Sequence, residues 1–167
     1  MIYYITGGER SGKSRHAQDL ALKLSSAPIY VATARKWDDD FQKRILRHQN
    51  ERDERWTTIE EEKYIGNVDL KNRVAVIDCV TLWLTNFYTD NNYGVEESLA
   101  QAKIEFDKFI SLEGIFIFIS NEIGMGVHSE TAVGRKFVEL QGWMNQYIAK
   151  YADEVVFMIS GIPLKVK

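Results

Sequence analysis

The stretch GGERSGKS, from Gly7 to Ser14, decides the fold of this chain. It matches the pattern G-x-x-x-x-G-K-[ST] of a phosphate-binding loop, or P-loop. A β-rich apolar run, Ile2 to Thr6, precedes it, and apolar residues at helical spacing follow it, at Ala17, Leu20, Ala21 and Leu24. Strand, glycine-rich turn and helix in this order are the context in which the motif binds phosphate. The sequence therefore predicts a phosphate cradle at Gly7 to Ser14.

The residue types of the cradle match what a polyphosphate needs. Glycines carry no Cβ, so successive backbone N–H groups can point inward at the oxygens. The start of the following helix adds unpaired N–H groups and the positive end of the helix dipole. Lys13 is the predicted catalytic cation for the β- and γ-phosphates, and Ser14 is a predicted Mg²⁺ ligand.

Outward from the cradle, apolar strands alternate with amphipathic helices. Strands are predicted at Ile29 to Thr33, Val74 to Ile77, Ile115 to Ile119 and Val155 to Ile159, with a short last one at Leu164 to Val166. Helical stripes end near Leu84, Phe109 and Tyr151, and the polar stretch Asp38 to Arg55 is helix-prone. Continuous apolar strands separated by helices indicate a parallel sheet covered on both faces. We predict one three-layer α/β/α domain over residues 1–167, P-loop NTPase-like, with a mostly parallel sheet.

Asp78 ends the apolar run RVAVI, which places it at the carboxyl end of a strand. That edge is the ligand side of an open α/β sheet. Asp78 is therefore predicted to hold Mg²⁺ with Ser14, directly or through a water. The alternative is an N-cap for the helix that begins at Val80, worth about 1 kcal/mol, and one residue could do both.

Composition sets outer limits on function and location. The 167 residues are 45% apolar and 27% charged, with a net charge of -3, which suits a globular protein and disfavours sequence-independent nucleic-acid binding. The one cysteine, Cys79, cannot form an intrachain disulfide and suits a reducing compartment. We expect no membrane span and no signal peptide, and a cytoplasmic location.

Several segments besides the P-loop resemble one family, in order along essentially the whole chain. They are YVATA (Tyr30 to Ala34), RILRHQNER (Arg44 to Arg52), WTTIE (Trp56 to Glu60), DCVTLWLTN (Asp78 to Asn86), SNEIGMG (Ser120 to Gly126) and GWMNQYIAKYADEV (Gly142 to Val155). The chain resembles the bifunctional adenosylcobinamide kinases / adenosylcobinamide-phosphate guanylyltransferases of cobalamin assembly.

The resemblance implies two reactions at one nucleotide site. The first phosphorylates a hydroxyl of adenosylcobinamide, with ATP or GTP as donor, and the second transfers GMP from GTP onto that phosphate through a histidine-bound GMP. By resemblance the guanylylated residue is His48, the cofactor is Mg²⁺, the partners are a corrinoid and nucleotides, and the assembly is a homotrimer. Together with Gly7 of the motif, the implied nucleotide contacts are Gly8, Glu9, Arg10, Ser11, Gly12, Lys13, Ser14, Arg15, Ala32, Thr33, Ala34, Gln49, Asn50, Glu51, Arg52, Glu60 and Asp78.

Two positions depart from the family pattern. Arg47 stands where some members have a second histidine before the nucleophile, and Val127–His128 stands where Val-Pro is usual. By spacing alone, His48 would be read as a residue on an amphipathic helix face, after Phe41 and Ile45. Its predicted role comes from the resemblance.

Two other functions fit the residues. One is a P-loop kinase that acts on another small alcohol without a covalent intermediate. The other is a nucleotide-dependent regulatory ATPase without a small-molecule acceptor. Formation of a covalent GMP adduct would distinguish the bifunctional kinase/guanylyltransferase from both of these functions.

Overall fold

The computed structural model describes residues 1–35 and 52–167. Its strands are β1 (Ile2–Gly7), β2 (Ile29–Ala32), β3 (Thr57–Glu60), β4 (Arg73–Asp78), β5 (Gly114–Ile119), β6 (Glu154–Ile159) and β7 (Ile162–Lys165). Its helices are α1 (Lys13–Leu24), α2 (Val80–Asp90), α3 (Val95–Ile110) and α4 (Ala132–Tyr151), and one 3-10 turn covers Ile65–Asn67.

The seven strands form one sheet in the order β3-β2-β4-β5-β1-β6-β7. Every neighbouring pair is parallel except β6 and β7, which form an antiparallel hairpin at one edge. The strand β1 that leads into the cradle lies between β5 and β6. This sheet confirms the predicted fold class.

Side chains that alternate along each strand enter two separate apolar clusters. In β4, Ala75 and Ile77 pack with α2, α3 and α4 on one face, whereas Val74 and Val76 pack with α1 on the other. The first cluster is the larger and is rich in aromatic rings, because three helices cover that face. Burial on both faces explains why the central strands are apolar at nearly every position.

The predicted boundaries differ from the observed ones at the edges of the sheet. Strand β3 was not predicted, because only Ile59 of its four residues is half-buried and the other three are exposed. The last strand begins two residues earlier than expected, at Ile162, and the exposed edge tolerates Pro163. Most of the helix predicted for Asp38 to Arg55 lies outside the described residues, and residues 52–55 form a turn instead.

Within residues 1–35 and 52–167, no helix has the length and apolar character needed to cross a membrane.

Candidate nucleotide site

The cradle has the backbone geometry that its glycines allow. Gly12 adopts a left-handed conformation, with φ 94°, immediately before α1 begins at Lys13. A Cβ on Gly7 would lie 2.6 Å from the carbonyl oxygen of Met158 in β6, so only glycine fits there. The Lys13 ammonium donates a hydrogen bond to the Gly8 carbonyl oxygen at 2.6 Å, and the residue as a whole is 8% exposed. The lysine is thus folded back over the loop whose N–H groups would bind phosphate.

The start of α1 is arranged for an anion. No acidic residue lies in its first turn, whereas Lys13 and Arg15 do, and Arg10 lies in the loop before it. Positive side chains at the positive end of a helix dipole cost about 0.3–1 kcal/mol each. With a phosphate bound there, the same positive side chains would interact favourably with its negative charge. The charge pattern therefore supports the predicted cradle.

Asp78 lies at the carboxyl end of β4 and faces the cradle. Its Oδ2 accepts hydrogen bonds from Ser14 Oγ at 2.9 Å and from the Tyr30 hydroxyl at 2.6 Å. It does not cap α2, whose N-cap position is Cys79 and has no side-chain cap hydrogen bond. Of the two alternatives for Asp78, the capping role is therefore not observed.

The pair of Ser14 and Asp78 suits Mg²⁺. Mg²⁺ in nucleotide sites commonly binds one or two protein oxygens, with substrate phosphates and waters completing its shell. A hydroxyl and a carboxylate 2.9 Å apart beside the cradle provide that set. No group of three or more histidine, cysteine or acidic side chains in the described part of the chain forms a metal cage. Ser14 and Asp78 therefore fit a Mg²⁺ ion whose remaining ligands come from phosphate and water.

Tyr30 was not predicted to belong to the site, yet it contacts both Asp78 and Arg52 there. Burial, and next the nearby Asp78 carboxylate, raise the pKa of Tyr30 well above its usual value, so it stays a hydrogen-bond donor at neutral pH. The Arg52 guanidinium lies 3.8 Å above the centre of the Tyr30 ring. Arg52 Nε and Nη1 are buried, without a hydrogen-bond partner in the structure as described. Buried donors of this kind call for an acceptor, which a phosphate can supply.

Three predicted contact positions align across the carboxyl edge of the sheet. Ala32 pairs in register with Asp78 on one side and with Glu60 on the other. Thr33 is fully buried, and its hydroxyl donates to the Cys79 carbonyl oxygen at 2.8 Å, so its side chain serves the fold. Ala34 follows it at the same edge. This row extends from the cradle toward β3.

Next to the cradle, just beyond the end of the neighbouring strand β5, lies an acidic residue that sequence reasoning did not single out. Glu122 follows the end of β5, and its N–H donates to the Gly7 carbonyl oxygen at 3.0 Å. Glu122 Oε1 accepts from Thr6 Oγ1 at 3.1 Å and from Asn145 Nδ2 at 2.9 Å. Glu122 lies just beyond an apolar strand, which is the same sequence signal that identified Asp78. That signal could have identified Glu122 as well.

Four of the predicted site residues are not described by the structure, whereas the other two histidines and the cysteine are. His48, Gln49, Asn50 and Glu51 lie outside the described residues. His16 is half-buried on α1, and His128 is exposed in the loop before α4. Burial, and next the Asp78 charge, raise the pKa of the Cys79 thiol to about 12, so this cysteine stays a neutral thiol.

Several known proteins are similar to this chain in sequence. The family model described as "Cobinamide kinase / cobinamide phosphate guanyltransferase" matches residues 3–166. The bifunctional adenosylcobalamin biosynthesis protein CobP of Pseudomonas aeruginosa is 36% identical over 98% of this chain and 95% of its own length. The corresponding CobU protein of Escherichia coli is 34% identical over 100% of both chains.

Among solved structures, the flagellar accessory protein FlaH from Methanocaldococcus jannaschii is similar, with a TM-score of 0.46 and 15% identity. The match covers 99% of this chain and 77% of FlaH. The family assignment comes from the sequence comparisons, which span nearly the whole chain and include every segment that lines the cradle. The chain therefore belongs to the cobinamide kinase / cobinamide phosphate guanyltransferase family.

Proposed function

We propose that this protein phosphorylates adenosylcobinamide and then transfers GMP from GTP to the product, giving adenosylcobinamide-GDP and pyrophosphate. The observation that carries the proposal is the family match over residues 3–166 together with the cradle that the structure forms at Gly7–Ser14. A cradle with the Asp78 carboxylate bonded to Ser14 at its edge suits two reactions that both begin from a nucleoside triphosphate.

In the first reaction the substrate hydroxyl attacks the γ-phosphorus of the donor. The O–P bond to the acceptor forms as the bond between the γ-phosphorus and the bridging oxygen breaks, the nucleoside diphosphate leaves, and the hydroxyl proton passes to water. Lys13 and the N–H groups of the loop stabilise the charge on the phosphates. Ser14 and Asp78 would hold Mg²⁺, which neutralises phosphate charge when it is bound. No protein nucleophile is needed in this step.

In the second reaction we assign the nucleophile to His48. A neutral imidazole nitrogen attacks the α-phosphorus of GTP, a P–N bond forms, and pyrophosphate leaves. An oxygen of the corrinoid phosphate then attacks the same phosphorus and releases the histidine. Histidine suits this role because most of it is neutral near pH 7 and because covalent catalysis divides one difficult transfer into two steps.

Arg52 is the described residue that ties the proposed histidine block to the site. It ends the segment RILRHQNER, and its guanidinium, whose Nε and Nη1 are buried, lies over Tyr30, whose hydroxyl is bonded to Asp78. Its two unpaired donors would meet a phosphate oxygen of the guanylyl group. This contact supports a nucleotide position on the Tyr30 side of the cradle for the second reaction.

The deciding experiment is incubation with α-labelled GTP and Mg²⁺, followed by denaturing electrophoresis. The wild-type protein should retain label, and the adduct should survive alkali but break down in acid, as a phosphoramidate does. His48→Ala should retain none and should still phosphorylate adenosylcobinamide. His128→Ala is the matched control, and it should label normally. Label that persists in His48→Ala would exclude this nucleophile.

Absence of any adduct in the wild-type protein, with phosphorylation intact, would instead favour a simple P-loop kinase. Absence of phosphorylation as well, with nucleotide hydrolysis retained, would favour a regulatory ATPase.

A further inference from the structure

A groove of about 450 Å³ lies beside the cradle, on the side away from Asp78. Loop residues Arg10 and Gly12 and helix residues Arg15, His16 and Asp19 line it, together with Met158, Ser160 and Gly161 at the β6–β7 hairpin. The hairpin is tied to the cradle by a hydrogen bond from the Gly161 N–H to the Ser11 carbonyl oxygen, at 2.9 Å. The groove is therefore a fixed extension of the cradle. The nucleotide contacts predicted from the sequence do not include His16, Asp19, Ser160 or Gly161.

The side chains of this groove lack the partners that surface charges usually find. Arg10, Arg15, His16 and Asp19 make no side-chain hydrogen bond or ion pair with any residue that the structure describes. Arg15 and Asp19 are spaced i,i+4 on α1, where an ion pair could form, and it does not. Two arginines near the positive end of a helix dipole are costly unless an anion lies between them.

The order of charges along the groove matches a nucleotide. Arginines lie next to the cradle, where the phosphates would be, and a carboxylate lies farther along. Asp19 is six residues after Lys13, about 9 Å along the helix axis, which is comparable to the span from the β-phosphate of a nucleotide to its base. A carboxylate there would accept hydrogen bonds from base N–H or ribose O–H groups. The half-buried His16 ring adds a surface on which a base can stack.

The groove and the row of family-implied contacts lie on opposite sides of the cradle. Counting strands, the β6–β7 hairpin is one to two positions from β1, about 5–10 Å. Ala32 and Glu60 lie three and four positions away in the other direction, about 14–19 Å. One bound nucleoside cannot fill both places.

From this geometry we infer that the groove binds the base and ribose of the purine nucleoside triphosphate that donates the γ-phosphoryl group. The inference rests on the proposed function, of which it specifies the donor site for the first reaction. The row through Ala32 and Glu60 is then left for the guanosine of the second reaction. The same cradle would hold the phosphates in both reactions. The nucleoside would lie in the groove during the first reaction and along the row through Ala32 and Glu60 during the second.

The test uses 8-azido-ATP with Mg²⁺ and ultraviolet light, followed by peptide mapping. We expect ATP-protected label on residues 10–19 or 158–161. Label confined to residues 30–35 or 52–62 would overturn the inference.

A second measurement compares the affinities of ATP and inorganic triphosphate, since triphosphate can fill only the cradle. Asp19→Trp should weaken ATP binding by about tenfold and leave triphosphate binding unchanged. Lys23→Trp, one turn farther along the same helix and exposed, should change neither. Unchanged ATP affinity in Asp19→Trp, or equal loss for both ligands, would count against the groove.

Adduct formation with α-labelled GTP tests the proposed function and does not depend on where the base of the phosphoryl donor binds. If that adduct forms while azido label maps elsewhere, the groove assignment alone fails. If neither the adduct nor phosphorylation occurs, the proposed function fails.

Discussion

At the scale of single residues, Lys13 is the side chain on which both proposed reactions depend. It begins α1, is 8% exposed and lies over the loop, bonded to the Gly8 carbonyl oxygen at 2.6 Å. Lys13→Ala should reduce kcat/KM of both phosphorylation and guanylyl transfer by about 10²-fold or more, because a preorganised charged donor is worth several kcal/mol. Lys23→Ala, in the last turn of the same helix, is the control. Near-normal rates for either reaction in Lys13→Ala would show that the reactions do not share a cradle.

The Asp78 carboxylate offers a test of the metal site. Asp78→Asn should raise the Mg²⁺ concentration for half-maximal rate, because an amide oxygen is a weaker ligand than a carboxylate. Circular dichroism should be unchanged, since the amide oxygen can still accept from Ser14 and Tyr30. An unaltered Mg²⁺ titration would remove Asp78 from the metal site.

Sequence reasoning at this scale worked where local chemistry decides. The glycine pattern placed the cradle, and the strand end placed Asp78, because both are local features of the chain. Tyr30 was missed as a site residue because its importance comes from a partner 48 residues away in the sequence. Glu122 was missed although, like Asp78, it follows an apolar strand. His48 stays a prediction from resemblance.

At the scale of elements, a charged cluster ties the ends of β2 and β3 to the end of α2. Arg35 contacts Asp90 through two hydrogen bonds at 2.8 and 3.1 Å and Glu62 through one at 2.7 Å. Lys63 Nζ adds a contact to Asp90 at 2.8 Å. The hydrogen bonds from Arg35 and then Lys63 hold the pKa of Asp90 well below its usual value.

This cluster predicts a pH dependence of stability. A carboxylate whose pKa is lower in the folded than in the unfolded state stabilises the protein above the unfolded pKa, about 3.9. That contribution is lost as pH falls below about 4 toward the folded pKa. Asp90→Asn should lower the free energy of unfolding at pH 7 by about 1 kcal/mol, because the pair is partly solvated.

Urea unfolding of wild type and Asp90→Asn at pH 7 and pH 3 measures this effect. The difference between the two proteins should shrink at the lower pH, and a difference that stays constant would contradict the linkage. Asp53→Asn is a suitable control, because its exposed pair with Arg55 lies within one turn.

At the scale of the whole molecule, the larger of the two apolar clusters lies beneath α2, α3 and α4 and is rich in aromatic rings. Phe118 of β5 is fully buried there, with its ring centre 5.1 Å from Phe106 and 5.2 Å from Phe109. Phe118→Ala should cost about 3–5 kcal/mol through lost burial and a cavity. Thermal and urea unfolding measure this cost.

Ile104→Ala on the exposed face of α3 is the matched control, since Ile104 is 61% exposed. Its free energy of unfolding should change by less than about 0.5 kcal/mol. If both variants lost equal stability, the aromatic cluster would not be the dominant core.

The sequence by itself determined the strand–cradle–helix unit, the parallel interior of the sheet and the resemblance that led to the family. These follow from local pattern, since glycine spacing, apolar runs and helical periodicity act over a few residues. Only the tertiary structure decided the rest. It showed that Asp78 bonds Ser14 and Tyr30 rather than capping α2, that β3 joins the sheet edge, and that the β6–β7 hairpin walls a groove beside α1. The reason is physical: each depends on contacts between segments far apart in the chain, which no local pattern of residues encodes.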